Sequence, residues 1–342
     1  MKKDNHNKRL WRRSFFRTGV FRVAFLVYGF AGLSLFWQVG CDRSQSNNTA
    51  NSADGKLRAV ATVGMVADLV RVIGGDAVDV EQICGSGVDP HLFMPTVDDV
   101  EKLMDAEVVF YCGLQLEGKM AGTLKDLAAE QPVFAITDGI DRDLLIGGDS
   151  DHADPHLWND VSLWSQCVDS IRDQLSKLKP SHAAEFADRA AAYREELTAL
   201  HEYGVEAMKT VPEASRLLIT SHDAFSYFGR AYGLEVRGIQ GISTESEAGL
   251  QQINALVDLL IERNVQAVFV ESSVSSKNVE ALIEGAASRD HQVAKGGTLY
   301  SDAMGSADSY EGTYIGMLDH NLTTTANALG GNATGFKNSR DE

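Results

Sequence analysis

One segment without any strand pattern, residues 160–211, most constrains how this chain can fold. In its second half, apolar side chains recur at intervals of three and four residues, which is the spacing of one face of an amphipathic helix. These residues are Phe186, Ala190, Tyr193, Leu197 and Leu200. The pattern predicts a helix of roughly 30 residues, about 45 Å long at the standard rise. Because that is longer than one lobe needs, we interpret it as a rod that joins two lobes.

Short apolar runs alternate with helical patterns on both sides of this segment. Before it, "LRAVATVG" (57–64) predicts a buried strand, and "MVADLVRVIGG" predicts a helix that ends at glycine. After it, "RLLITSH" (216–222) and "VQAVFVESS" (265–273) predict strands, each followed by a helical pattern. Strands that alternate with helices are typical of parallel β-α-β units. The predicted fold is therefore α/β, with two lobes of parallel sheet flanked by helices and joined by one long linking helix.

One helix of the second half carries a start signal. Thr244 and Glu247 match a capping box, in which each side chain bonds the backbone of the other residue. We therefore expect the helix in "TESEAGLQQINALVDLLIERN" to begin at Thr244.

The distribution of charge separates the first 40 residues from the rest. The formal net charge is −17, which makes nucleic acid an unsuitable partner. Residues 1–40 carry eight Lys or Arg and one Asp, a net +7, whereas the remainder carries 23 positive and 47 negative residues, a net −24. The expected parts are an export signal (1–40), a flexible tether (41–56), an N-terminal α/β lobe (57–160), linking helices (161–211), a C-terminal α/β lobe (212–330) and a tail (331–342).

The N-terminus has the layout of an export signal. A basic region is followed by the apolar run "VAFLVYGFAGLSLFW" (23–37), by "QVGC" ending at Cys41, and by a polar stretch. It resembles a bacterial lipoprotein signal, in which Cys41 would be lipidated, although Gln38 stands where an aliphatic residue is usual. "RRSFF" also resembles a twin-arginine export signal. An uncleaved membrane anchor and simple cleavage are the alternatives. Lipidation, an uncleaved anchor and simple cleavage all place the body of the protein outside the cytoplasm. Lipidation or an anchor would also tether it to the membrane at the periplasmic face of the envelope.

Three cysteines remain after Cys41, namely Cys84, Cys112 and Cys167. An odd number in an exported protein cannot pair completely. We expect them to be buried apolar side chains, and a Cys84–Cys112 disulfide is the alternative.

The same Asp-Pro-His step occurs twice, as "DPHLF" from Asp89 and as "DPHLW" from Asp154. Proline fixes its own backbone and holds the preceding residue extended, so each step presents one imidazole at a set angle. The two steps therefore predict two loops that bring His91 and His156 to one place.

Two further polar residues follow predicted strands. His222 ends "LLITSH", and Asp302 lies in "LYSDAMG" after the last strand. Ligands of open parallel α/β sheets bind outside the carboxyl ends of the strands. With His91 and His156, these residues give two candidates per lobe. Three imidazoles and one carboxylate between the lobes would form a closed shell for a divalent transition-metal ion.

Three neighbouring residues are candidates for supporting roles. Glu271 could fix the orientation of an imidazole, or could cap the next helix. Asp223 could act in the same way, or could belong to a helix start. His152, next to the second Asp-Pro-His step, could assist metal capture.

These motifs resemble a known family of receptors. "GVDPHLFMPTVDDVEKLMDAEVVFYCG", "DPHLWND", "ITSHDAFSYFGRAYGLE", "GISTESEAG" and "LYSDAMG" are similar to the zinc- and manganese-binding solute receptors of bacterial ABC importers, the TroA-like group. The likeness runs from about residue 57 to 330. It implies one divalent transition-metal ion per chain as cargo, held in the cleft by four side chains: His91, His156, His222 and Asp302.

The resemblance also implies partners and a cargo. The receptor, expected to be a monomer, would deliver its ion to an ABC permease and the associated ATPase. Zinc is the favoured ion and manganese the runner-up. The loop "GGDSDHA" lacks the histidine-rich run of many zinc-binding members.

Other functions remain as alternatives. A metallohydrolase would need an open metal position for water, which four protein ligands do not leave, and the sequence has no HExxH or GxSxG arrangement. A metal-stabilised adhesin or surface interaction protein is a second alternative, and a receptor for siderophores or cobalamin is a third. We therefore expect a binding protein and not an enzyme.

Overall fold

The computed structural model describes residues 55–148 and 152–339 of the chain. The predicted export signal, the lipidation candidate Cys41 and nearly all of the tether lie outside the described residues. So do the last three residues of the predicted tail.

The strands of the described residues are β1 (Leu57–Ala61), β2 (Val78–Gln82), β3 (Val108–Tyr111), β4 (Val133–Ala135), β5 (Leu217–Thr220), β6 (Glu235–Gly238), β7 (Ala267–Glu271) and β8 (Ala294–Leu299). The helices are α1 (Gly64–Gly74), α2 (Val97–Asp105), α3 (Ala121–Leu127), α4 (Val161–Trp164), α5 (Cys167–Leu178), α6 (Ala183–Lys209), α7 (Ser226–Tyr232), α8 (Leu250–Glu262), α9 (Lys277–Ala287), α10 (Tyr314–Ala328) and α11 (Phe336–Ser339). Strands and helices alternate on both sides of α4–α6, as the sequence predicts.

The first lobe contains one parallel sheet in the order β2-β1-β3-β4. β1 lies between β2 and β3, so the direction of chain progression reverses beside it. Such a reversal opens a crevice at the carboxyl ends of the strands. The loop that follows β2 at this edge carries the first Asp-Pro-His step, and it ends in a capping box in which Thr96 and Asp99 start α2.

The second lobe repeats this layout with two parallel pairs, β5-β6 and β7-β8. β5 also packs beside β7, so the strands succeed one another as β6-β5-β7-β8. The loops after β5 and β8 therefore lie at the carboxyl edge of the second lobe. His222 and Asp302 follow these two strands directly.

The long helix α6 has 27 residues, close to the predicted length. Its predicted apolar face is buried, from Phe186 at 0% exposed to Tyr193 at 4%. Tyr193 also donates a hydrogen bond of 3.0 Å to Asp68 of α1 in the first lobe. At its other end α6 packs on α7 and α10 of the second lobe. The helix therefore joins the two lobes as the sequence predicts, while the boundaries proposed at residues 160 and 211 stay a prediction.

Most of the apolar core is continuous between the lobes. One cluster of buried side chains extends from β1 and β3 through α6 to α10, and also includes Phe269 and Leu299 of the second sheet. A smaller cluster fills the space between β5, β7, α8 and α9. Close-packed protein interiors deform little, so we expect the two lobes to move only slightly against each other.

The predicted capping box at Thr244 and Glu247 is wrong. Helix α8 begins at Leu250 after Gly249, and no side chain caps it. The hydroxyl of Thr244 instead donates a hydrogen bond of 2.6 Å to Asp89, in the other lobe. The Thr244 hydroxyl, which the local sequence pattern assigns to the start of a helix, therefore makes a tertiary contact instead.

The cysteines behave as buried apolar residues. Cys84, Cys112 and Cys167 are all buried free thiols, so the described residues contain no Cys84–Cys112 disulfide.

Among the helices of residues 55–148 and 152–339, none combines the length and the apolar character that a membrane span requires.

Candidate metal centre

Four side chains from both lobes converge at the carboxyl edges of the sheets. His91, His156, His222 and Asp302 each offer one ligand atom, and these atoms all lie within 4.8 Å of one another. All four residues are buried, His91 at 4% exposed and the others at 1% or less. The structure therefore brings together the whole set of residues that the sequence predicts. That they bind a metal ion stays a prediction.

The two Asp-Pro-His steps fold in the same local way. In the first, Asp89 Oδ1 accepts the backbone N–H of His91 at 2.8 Å. In the second, Asp154 Oδ1 accepts the backbone N–H of His156 at 2.9 Å. Each aspartate thus closes a short turn over its own proline, as Asp side chains commonly do. This turn, together with the stiffness of proline, aims each imidazole into the cleft.

Two of the imidazoles are oriented by carboxylates on the side away from the centre. His156 Nδ1 donates to Asp154 Oδ1 at 2.7 Å. His222 Nδ1 donates to Glu271 Oε2 at 2.5 Å, and the other oxygen of Glu271 accepts the His222 backbone N–H at 2.8 Å. A ring that donates from Nδ1 can turn the lone pair of Nε2 toward a metal ion. Both rings are therefore held in the tautomer that a metal ligand needs.

The supporting residues of the site differ in part from the sequence prediction. Glu271 lies against His222, where an orienting group would stand. Asp223 instead accepts a hydrogen bond of 2.7 Å from Ser226 at the start of α7, which is the alternative that its neighbourhood suggested. Asp154 is an orienting residue that the sequence prediction omits, although its place in the repeated Asp-Pro-His step could have identified it. His152 lines a cavity of about 340 Å³ that His91 also lines.

Several separations between the ligand atoms are close to the edge length of a zinc tetrahedron. His156 Nε2 lies 3.2 Å from His91 Nε2 and 3.4 Å from His222 Nε2. The oxygens of Asp302 lie 3.4 Å from His156 Nε2 and 3.3 Å from His222 Nε2. Tetrahedral zinc with bonds of about 2.0–2.1 Å sets its ligand atoms roughly 3.3 Å apart. The four distances are close to this value, but they involve both oxygens of Asp302, and the set with one ligand atom per residue lies within 4.8 Å.

Asp302 faces the centre with little other support. Apart from the rings of His156 and His222, no group among the described residues bonds its Oδ1, and Ser273 reaches its Oδ2 only at 3.5 Å. A buried carboxylate needs compensation for its lost hydration. The rings of His156 and His222 provide it here, because their positive charge and hydrogen bonds outweigh burial and hold the pKa of Asp302 well below its usual range.

The imidazoles themselves carry opposite pKa shifts. Burial lowers the pKa of His91 to about 4. Burial also opposes the charged form of His156, but Asp154 and Asp302 outweigh it and raise the pKa to about 9. The pKa of His222 is raised well above its usual value, because Asp302 and Glu271 outweigh burial there. The carboxylates therefore favour the protonated form of His156 and His222, whereas burial disfavours it at His91.

The chain matches a described protein family over most of its length. The family model "ZnuA: Zinc-uptake complex component A periplasmic" matches residues 59–328. The manganese-binding lipoprotein MntA of Bacillus subtilis (strain 168) is 44% identical over 295 residues, which cover 86% of this chain and 95% of that protein. The zinc-binding protein TroA of Treponema pallidum (strain Nichols) is 43% identical over 278 residues, or 81% of this chain and 90% of that protein.

A solved structure agrees with these sequence matches. The periplasmic zinc-binding protein TroA from Treponema pallidum superposes with a TM-score of 0.79 at 42% sequence identity. The match covers 80% of this chain and 99% of that chain.

We predict that Glu271→Gln weakens zinc binding by about 10- to 100-fold, the usual effect of losing the partner of a ligating imidazole. The glutamine side chain has one acceptor oxygen, whereas His222 presents two N–H groups, at the backbone and at Nδ1. One of these groups would then face the amide NH2 and lose its hydrogen bond. Isothermal titration with zinc measures the change. Asp223→Asn is the matched control, because Asp223 is the neighbour of His222 yet bonds Ser226. Equal affinities of the Glu271→Gln protein and the unmodified protein would show that Glu271 does not orient a ligand.

Proposed function

The chain belongs to the family of periplasmic A components of zinc-uptake complexes, and we propose that it captures one divalent transition-metal ion between its lobes and delivers it to an ABC permease. The observation that carries this proposal is the buried set of three imidazoles and one carboxylate, with ligand atoms within 4.8 Å of one another. Two ligands come from each lobe, so a small displacement between the cleft loops that carry them would break bonds in the shell and free the ion. A carrier needs this property, because it must both hold and release its cargo.

The ligands His91, His156, His222 and Asp302 would bind the ion directly. Their buried position removes water from the bonds to the ion and strengthens them. Asp154 and Glu271 would hold the tautomers of His156 and His222. His152, in the wall of the adjoining cavity, would meet ions on their way to His91.

The family is one of transporter components and not of enzymes. For this chain, the closed shell supports the same conclusion. Catalytic zinc typically keeps one position open for water, whereas here four protein groups converge on the centre. We therefore propose that the ion is cargo and takes part in no reaction.

The ion at this site is zinc in preference to manganese under equal conditions. Imidazole-rich tetrahedral shells suit zinc, and zinc lies well above manganese in the general order of affinities. Relatives do not decide the matter, since one of 44% identity is named manganese-binding and one of 43% zinc-binding. The ion carried in the cell would then depend on what the surroundings supply.

The receptor would work outside the cytoplasm, anchored to the membrane through lipidated Cys41. Its relative in Bacillus subtilis is named a lipoprotein, which supports this part of the proposal. All four ligands come from one chain, so a monomer is sufficient for binding. Its partners would be an ABC permease and the associated ATPase.

The stoichiometry gives a direct test of the site. We expect one zinc ion per chain, and a rise in folding stability of roughly 4 kcal/mol at a thousandfold excess over the dissociation constant. The double variant His91→Ala/His222→Ala removes one ligand from each lobe and should lose most of this rise. Differential scanning calorimetry with and without zinc measures it. His182→Ala/His320→Ala, which changes two histidines outside the site, should keep it. A full rise in the His91→Ala/His222→Ala protein would refute the site.

Metal binding should release about two protons near neutral pH, because ligating imidazoles must be neutral. The pKa of His156 is raised to about 9 and that of His222 is raised well above its usual value, so both rings hold protons at pH 7. The pKa of His91 is lowered to about 4, so this ring is already neutral. Zinc affinity should therefore fall by about 100-fold per unit as the pH drops from 8 to 6.

Calorimetric titration in buffers of different ionisation enthalpy counts the released protons. Zinc binding that releases none, with an affinity independent of pH, would contradict a site that contains His156 and His222.

The preference for zinc can be tested by competition. When both ions are present at equal free concentrations, we expect zinc to displace bound manganese, because the four-ligand shell suits zinc. Elemental analysis of the re-isolated protein measures the occupant. Manganese that remains bound under these conditions would refute the proposed preference.

A further inference from the structure

The loop between β6 and α8, residues 239–249, ties the surroundings of two ligands together. At its root, the backbone N–H of Gln240 donates to Ser221 O at 2.9 Å, and that of Asp223 donates to Gly241 O at 3.3 Å. Ser221 and Asp223 are the residues on either side of His222. The root of the loop is therefore fixed to the backbone that carries a ligand of the second lobe.

The tip of the same loop bonds the first lobe. Thr244 Oγ1 donates to Asp89 Oδ2 at 2.6 Å. One residue on, Glu245 Oε1 forms an ion pair of 2.5 Å with Lys119 Nζ. Asp89 is also the residue whose other oxygen accepts the N–H of His91. One carboxylate thus bonds the backbone of a ligand in the first lobe and a side chain of the second.

The two Asp-Pro-His steps use their aspartates differently. Asp154 serves its own histidine twice, through the backbone N–H and through the ring Nδ1. Asp89 serves the backbone of His91 only, and its second oxygen is turned to Thr244. The aspartate of the first step therefore bonds a residue across the cleft, whereas the aspartate of the second step bonds the ring of its own histidine.

The two contacts of the loop tip differ in strength. The side chains of Lys119 and Glu245 are 44% and 47% exposed, and ion pairs at such exposure contribute little. Thr244 is only 7% exposed, and its bond to a carboxylate is of the stronger, charge-assisted kind. Of the two contacts that the loop tip makes, Thr244–Asp89 is therefore the stronger.

We propose that the Thr244–Asp89 hydrogen bond is a cleft latch, which holds the loop 239–249 against the first lobe and sets how fast the ion leaves the site. Thr244 and Asp89 are positioning residues in this proposal, since they act through the backbones next to His222 and His91 and not on the ion. The inference rests on the proposed function, because a latch on retention needs an ion to retain.

The test compares zinc dissociation from the full chain, kept in detergent and loaded with zinc, on mixing with an excess of a chromogenic chelator. Thr244→Val removes the hydroxyl at nearly constant volume and leaves the Asp89–His91 bond in place. We expect it to speed dissociation by about tenfold, equivalent to about 1.4 kcal/mol. Thr244→Ser restores the hydroxyl and should return the rate to within about twofold of the unmodified protein.

Two control variants separate the latch from other effects. Thr325→Val makes the same substitution at a buried threonine whose hydroxyl has no hydrogen-bond partner among the described residues, and it should leave the rate within about twofold. Lys119→Met removes only the exposed ion pair and should change the rate by less than about threefold.

Three results would overturn the latch alone. These are an unchanged rate in Thr244→Val, a rate in Thr244→Ser as fast as in Thr244→Val, or a larger effect from Lys119→Met than from Thr244→Val. A full chain that binds no zinc would overturn the proposed function as well as the latch, so the two failures are distinguishable.

Discussion

The rest of the site depends on burying the carboxylate of Asp302 between two imidazoles. A charge taken out of water needs positive charge and hydrogen bonds in return. The raised pKa values of His156 and His222 reflect this requirement, because Asp302 favours the protonated form of both rings. A divalent ion can replace those protons, because it meets the same carboxylate and the same ring nitrogens. If the site binds a metal ion as proposed, capture would exchange about two protons for one divalent cation beside the same buried carboxylate.

Two carboxylates fix which ring nitrogen of each of these histidines faces the centre. Asp154 and Glu271 hold His156 and His222 through Nδ1, so only Nε2 of each ring can meet an ion. His91 has a lower pKa and sits on a step whose aspartate reaches across the cleft. His91, the imidazole with the lowest pKa of the three, is therefore also the ligand whose own loop bonds the opposite lobe directly.

We expect the fold to allow only a small movement between the lobes. The linking helix α6 packs on α1 in the first lobe and on α10 in the second, and buried apolar side chains run continuously between them. Close-packed cores in general deform little. Opening of the site is therefore best sought in the loops at the cleft, of which the loop 239–249 makes two contacts across it.

The sequence by itself determined the α/β class, the linking helix and the four central residues. Helical spacing in α6, the stiff Asp-Pro-His steps and the strand ends before His222 and Asp302 are properties of residues close together in the chain. Only the tertiary structure decided which carboxylate serves which ring and where Thr244 bonds. Glu271 is 49 residues from His222, and Thr244 is 155 residues from Asp89. Local patterns carry no information on such partners, because the packing of the two lobes brings them together, and that packing here overrode the capping signal at Thr244.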